Sequence, residues 1–187
     1  MKLLITTAII GLASTSVLAE PLTLTLADPQ PEGLQTGLSV AYATGAGGRD
    51  LDAARSKLTK AKPGAPLRGL SYLDTDPEET VLTSGETTKV AADISGYVHF
   101  EEAGIYTVDF FSNDGLDAKI GGQQVALADE VRACERTGEV EVEVPSAGWY
   151  AVEATYFQRK GSACLMMDWD VSGKMRPVPD DAFGFTN

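Results

Sequence analysis

The chain has little with which to run common enzyme chemistry. Its 187 residues include a single histidine, His99. That residue sits in an alternating run between Tyr97 and Phe100, and no nucleophile is spaced to use it as a base. An ordinary strand position is its expected role. A Gly-x-Ser-x-Gly elbow, a phosphate-cradling loop and a His-Glu-x-x-His helix are all missing, so no catalytic motif stands out. Basic residues are scarce as well, 15 Lys and Arg against 27 Asp and Glu, for a formal net charge of −12. Such a surface repels phosphate backbones and anionic lipid, which sets nucleic acid and membrane surfaces aside as partners. It suits solubility in salt, or the binding of cations.

Long apolar runs are also lacking. The one sustained run, Leu3 to Leu12, is too short for a permanent membrane helix. With Lys2 before it and Val17-Leu18-Ala19 after it, residues 1–19 fit a signal peptide cleaved before Glu20. The mature chain is therefore expected to be exported, periplasmic or secreted, without membrane insertion. No lipobox cysteine lies near the cut, so no lipid anchor is expected. Only two cysteines occur, Cys134 and Cys164. An even count in an oxidising compartment predicts a disulfide between them. Together with His99 they lack the spacing of a metal site.

What remains is rich in short alternating segments. Residues 20–36 form a Pro-rich leader with one alternating run, Leu22 to Leu26. Leu38 to Ala43 is a strand candidate. Arg49 to Lys62 is the one plausible helix, capped by Asp50 and lying on an insertion, with Leu51, Ala54, Leu58 and Ala61 at near-helical spacing. Val81-Leu82 and Lys89-Val90 flank a turn at Ser84-Gly85. Tyr97 to Phe100 and Ile105 to Phe111 read as a β-hairpin joined by the acidic turn Glu101 to Gly104, with Ser112-Asn113-Asp114-Gly115 as a polar tip. Val140, Val142 and Val144 alternate with Glu139, Glu141 and Glu143, one face buried and one wet. Trp149 to Phe157 and Cys164 to Val171 complete roughly nine short strands, the pattern of an all-β fold, an antiparallel β-sandwich with one short helix in an insertion. The domain spans residues 37–173. Residues 174–187 are a tail, with Phe183 and Phe185 free to dock.

Two loops carry candidate binding chemistry. Asn113, Asp114 and Asp117 offer three side-chain oxygens beside a glycine, hard donors of the kind calcium takes. The same Asn-Asp-Gly triplet is also plain turn chemistry. Tyr156-Phe157-Gln158-Arg159-Lys160-Gly161-Ser162 mixes aromatic, amide and basic groups that suit sugar faces and hydroxyls, or forms a simple exposed loop. Asp168 with Asp170, and the Glu139, Glu141, Glu143 row, are carboxylate sets of the sort glycosidases pair. On strands they are expected to be solvated faces, with no catalytic role.

In order and spacing these segments resemble the protective-antigen-type (PA-fourteen) β-sandwich domain family. Leu38 to Tyr42 resembles its opening strand. Gly96-Tyr97, Gly104-Ile105-Tyr106-Thr107-Val108, Ser112-Asn113-Asp114-Gly115 and Ala118 to Gly122 follow. Gly148-Trp149-Tyr150, Tyr156-Phe157-Gln158, Gly161 and Leu165 to Trp169 complete the pattern. The resemblance implies a binding module that is not itself catalytic. It further implies a ligand site at Asn113, Asp114 and Gln158, with help from Lys160 and Ser162, and a calcium ion held by Asn113, Asp114 and Gln158. Asn113 stands where sugar-binding relatives have the first of two adjacent acids, and Gln158 where they have an Asn. Carbohydrate is the expected partner. The alternative is a structural or protein-interaction component of the cell envelope without a glycan site.

Overall fold

The computed structural model describes residues 20–45, 48–170 and 173–186; the expected signal peptide, residues 1–19, lies outside the described residues. In chain order the elements are β1 (Leu22–Thr23), β2 (Gln35–Thr36), β3 (Ser39–Thr44), α1 (Leu51–Leu58), β4 (Lys62–Pro63), β5 (Ser71–Tyr72), β6 (Val90–Phe100) and β7 (Gly104–Asn113). They continue with β8 (Gly115–Ile120), β9 (Gln123–Ala128), β10 (Glu135–Arg136), β11 (Val140–Val144), β12 (Gly148–Gln158), β13 (Cys164–Asp170), β14 (Met175–Pro177) and β15 (Phe183–Phe185). A short 3-10 turn, Asp180–Ala182, leads into β15.

Two sheets face each other across one core. The first runs β1-β11-β7-β13-β14, with β10 beside β7 and β5 beside β13. The second runs β2-β15-β6-β12-β8-β9, with β3 on β6 and β4 on β3. Pairing is antiparallel except for β1, which lies parallel to β11. Alternation decides what is buried. Ile94, Val98 and Phe100 of β6 and Tyr150, Val152 and Tyr156 of β12 point inward, against Val108 and Phe110 of β7 and Leu165 and Met167 of β13. On β11 the valines face in, Val142 and Val144 fully, while Glu141 and Glu143 stay wet. Both ends of the described chain join in: β1 extends the first sheet, and β15 pairs Phe183 with Val98 in the second, burying Phe183 and Phe185.

The helix is shorter than its apolar spacing predicts. Asp50 caps it, Oδ1 accepting from the Ala53 amide at 2.7 Å. It ends at Leu58 because Lys62 and Pro63 are drawn into pairing with Tyr42 and Ala41 of β3. Its buried face, Leu51 and Ala54, packs on Ala91 and Phe157 from the outer surface of the second sheet, a small core of its own. Opposite Phe157 in the ladder lies Gly115. A Cβ there would fall 2.1 Å from the Phe157 ring. Gly115→Ala should therefore push that ring into α1 and cost about 2 kcal/mol, as overpacking typically does; a denaturant titration that shows no loss would contradict this packing.

The hairpin expected from Tyr97 to Phe111 is not a hairpin. β6 and β7 belong to different sheets, so Glu101 to Gly104 is an arch between layers. Each strand instead pairs with distant ones, β6 with β12 and β7 with β11 and β13. Val81 and Leu82 form turns and not a strand; both side chains are buried as anchors, and Leu82 adopts φ 53°. The true tight hairpin is β8–β9, turned by Gly121 and Gly122 at φ 53° and 80°, the left-handed pair that such a turn requires.

Candidate functional site

The polar corner forms where the chain crosses between sheets. β7 ends at Asn113, and β8 begins at Gly115 in the other sheet, leaving Asp114 alone as the connection. The Asn113–Asp114 peptide bond is cis. The link from β12 to β13, residues 159–163, crosses back beside it. The loop from β9 to β10 arrives from a third direction and is tied down by a Cys134–Cys164 disulfide with Cα atoms 5.9 Å apart. Cys164 is itself paired with Asn113 in the β13–β7 ladder.

Asp114 joins all three. Its carboxylate accepts from the Arg132 amide at 3.0 Å and from the Arg159 amide at 2.6 Å. Its own amide donates to the Phe157 carbonyl at 3.0 Å. Burial pushes its carboxyl above the ordinary aspartate value, and the two amide bonds only partly offset this. Asn113 is also buried. Its Nδ2 donates to Ser162 Oγ at 3.3 Å, its carbonyl accepts from the Tyr156 hydroxyl, and its amide oxygen Oδ1 has no partner. Tyr156 is fully buried, which raises its phenol well above the ordinary value.

Gln158 lies in the same corner with its amide fully committed. Oε1 accepts from the Lys89 amide at 3.1 Å, while Nε2 donates to the carbonyls of Gly161 and Ser162 at 3.0 and 3.1 Å. It therefore braces the 159–163 loop from beneath. Ser162 is half-buried on that loop and Lys160 is exposed at its tip. So Asn113, Asp114, Gln158 and Ser162 come together, with Lys160 at the rim. Asp117 does not join them. It points to the outer face of β8, where it accepts from Gln124 Nε2 at 2.8 Å and pairs with Arg55 of α1.

Other carboxylates singled out from the sequence lie on or next to the strands of the first sheet. Asp168 lies opposite Asp109 in the β13–β7 ladder. Asp109 is fully buried and accepts from Arg136 Nη1 at 2.9 Å and from the Gly138 amide at 3.1 Å. Asp170 closes the β13–β14 turn by accepting from the Lys174 amide at 2.7 Å. His99 is a half-buried strand residue of β6, its Nδ1 3.1 Å from Glu101 Oε1. Asp74 was not singled out from the sequence; its carboxylate lies within 4.8 Å of both disulfide sulfurs, which their bond to each other removes as metal ligands.

The arrangement is a disulfide-tied β-sandwich whose sheet-crossing loops meet in one polar corner. Residues 74–182 match the PA14 domain, and the chain belongs to that family. Solved structures share the fold. The PA14 domain of the MpAFP antifreeze protein superposes with a TM-score of 0.68 at 16% identity, covering 85% of this chain and 95% of that one. The PA14 sugar-binding domain from an RTX adhesin gives 0.65 at 15%, covering 81% and 99%. The Epithelial Adhesin 9 A domain from Candida glabrata, solved in complex with Galb1-3GlcNAc, gives 0.67 at 15%, covering 89% and 95%. No curated protein matches the sequence.

Proposed function

We propose that the chain is an exported, non-catalytic module that binds carbohydrate at the polar corner. Asn113, Asp114, Lys160 and Ser162 would meet the ligand, and Gln158 would hold the loop that carries two of them. The observation that supports this most is the unpartnered Asn113 Oδ1. A buried acceptor without a donor costs roughly 1–3 kcal/mol, and a ligand hydroxyl or a cation at Oδ1 would recover that cost. The sugar named in the Candida glabrata adhesin complex, and the sugar-binding description of the RTX adhesin domain, are in keeping with that ligand class. The leader pattern of residues 1–19 and the disulfide favour export, to the periplasm or beyond.

Calcium, when bound, would offer sugar hydroxyls a positive centre. Asn113 Oδ1 and the Asp114 carboxylate, whose oxygens each keep a lone pair beyond the Arg132 and Arg159 amides, would hold it; Gln158 is neutral, its oxygen accepts from Lys89, and its Nε2 braces the loop. One formal charge is a weak set, and calcium affinity follows ligand charge.

The test is a glycan array of oxidised residues 20–187 in calcium and in chelator. Glycan binding is expected, weakened about tenfold by Asn113→Ala through loss of the free acceptor, with an unchanged near-UV spectrum. Asn113→Asp should make the calcium arm the stronger one. Silence in both arms from folded protein would overturn the carbohydrate reading and leave a protein-interaction module of the envelope.

A further inference from the structure

Both tryptophans of the chain, Trp149 and Trp169, line one pocket of about 320 Å³. It sits at the opposite pole from the polar corner. β12 begins beside Trp149 and ends at Gln158, so at about 3.3 Å per residue the two places are about 30 Å apart.

Two layers of the fold converge on it. His99 and Trp149 are cross-strand neighbours on β6 and β12, with ring centroids 4.9 Å apart and planes tilted by 55°. Trp169 comes from β13 of the other sheet and is held against Phe100, centroids 5.4 Å apart. Glu101 and Asp181 bring carboxylates, both from exposed positions; Glu101 Oε1 lies 3.1 Å from His99 Nδ1, which leaves Oε2 to a ligand. Pro179 and Ala182, on the approach to β15, complete the wall. Its described lining holds no lysine, arginine, amide or hydroxyl side chain.

That chemistry is selective. Indole faces are electron-rich and attract cations within about 6 Å of the ring, tryptophan best of the aromatic residues. The two carboxylates add charge of the same sign and accept hydrogen bonds without donating any. An anionic ligand meets repulsion. A neutral polyol finds acceptors in the two carboxylates and donors only in the ring N–H groups of His99 and the indoles, and it gains no charge attraction. A cation with apolar surface satisfies every wall at once. We infer that this pocket binds small organic ammonium ions, primary or quaternary, independently of the carbohydrate corner.

The experiment uses the oxidised mature chain at constant ionic strength. Intrinsic fluorescence reports this pocket, since both tryptophans of the chain line it. Tetramethylammonium and choline are titrated against 3,3-dimethylbutan-1-ol, the neutral carbon isostere of choline. The two cations should give a saturable change in emission, and the isostere should bind at least about tenfold more weakly. Glu101→Gln with Asp181→Asn should lower cation affinity about fivefold while leaving any glycan binding unchanged. These positions are exposed, so the pair is expected to fold. No saturable change into the tens of millimolar would overturn the proposal. So would equal binding of the isostere, or an unaltered affinity in the charge-neutralised pair.

Discussion

Removing the disulfide, by Cys134→Ser with Cys164→Ala, is expected to lower the unfolding free energy by roughly 4 kcal/mol. The bridge spans a sequence separation of 30. In the chain-entropy account, closing a loop of that length removes about 12 cal/mol/K from the unfolded ensemble, hence roughly 4 kcal/mol at room temperature. In a chain of this size each kcal/mol moves the midpoint by about 2–4 °C, so the melt should fall by about 10 °C. The local consequence matters more. Cys134 anchors the β9–β10 loop to Cys164 at the start of β13, beside Asn113. That loop supplies the Arg132 amide to Asp114. Once free, it releases one of the two donors that orient the carboxylate, so glycan affinity should drop along with stability. Thermal melts of the variant and of reduced wild type check this together. A reduced wild type that melts with the oxidised form would show that packing alone holds the corner.

Strand positions were legible because alternation is a local signal. Val140 to Val144 announces its buried face residue by residue, and Asp50 announces a helix start through its capping chemistry. Sheet membership was not legible from the same signal. The turn Glu101 to Gly104 looks alike whether its flanking strands pair with each other or arch across the core, and only β11, β12 and β13, far along the chain, decide the matter. Val81 and Leu82 show the converse: two adjacent apolar residues bury as anchors in a turn without strand pairing. In the corner, Asn113, Asp114, Gln158 and Ser162 were found as polar side chains at loop positions and through the resemblance. Arg132 and Lys89 were missed, and Arg159 was read for its guanidinium, because all three contribute backbone N–H groups, which every residue but proline carries. Asp117 was misplaced by strand parity, since it points to the outer face of β8, away from the core.

Asp114→Ala should cost about 4 kcal/mol at neutral pH, which makes it a test of the fold before it is a test of ligand binding. Asp114 is 2% exposed and accepts from two amides. Alanine leaves both N–H groups without their acceptor, and an unsatisfied buried donor costs about 1–3 kcal/mol. The loss should also depend on pH. Burial raises the carboxyl above its unfolded value, so the folded state holds the proton more tightly than the unfolded chain. By linkage, the stabilisation from protonation is complete below the unfolded value and is lost as pH rises through the folded one. Wild type should therefore exceed the alanine variant by more in acid than at neutrality, since alanine has no proton to bind there. Denaturant titrations of both proteins from about pH 3 to pH 7 measure that difference directly. A gap that narrows on acidification would mean that the two amide bonds outweigh burial and hold Asp114 ionised. The corner would then present a standing negative charge and favour a cation over a hydroxyl as the partner of Asn113 Oδ1.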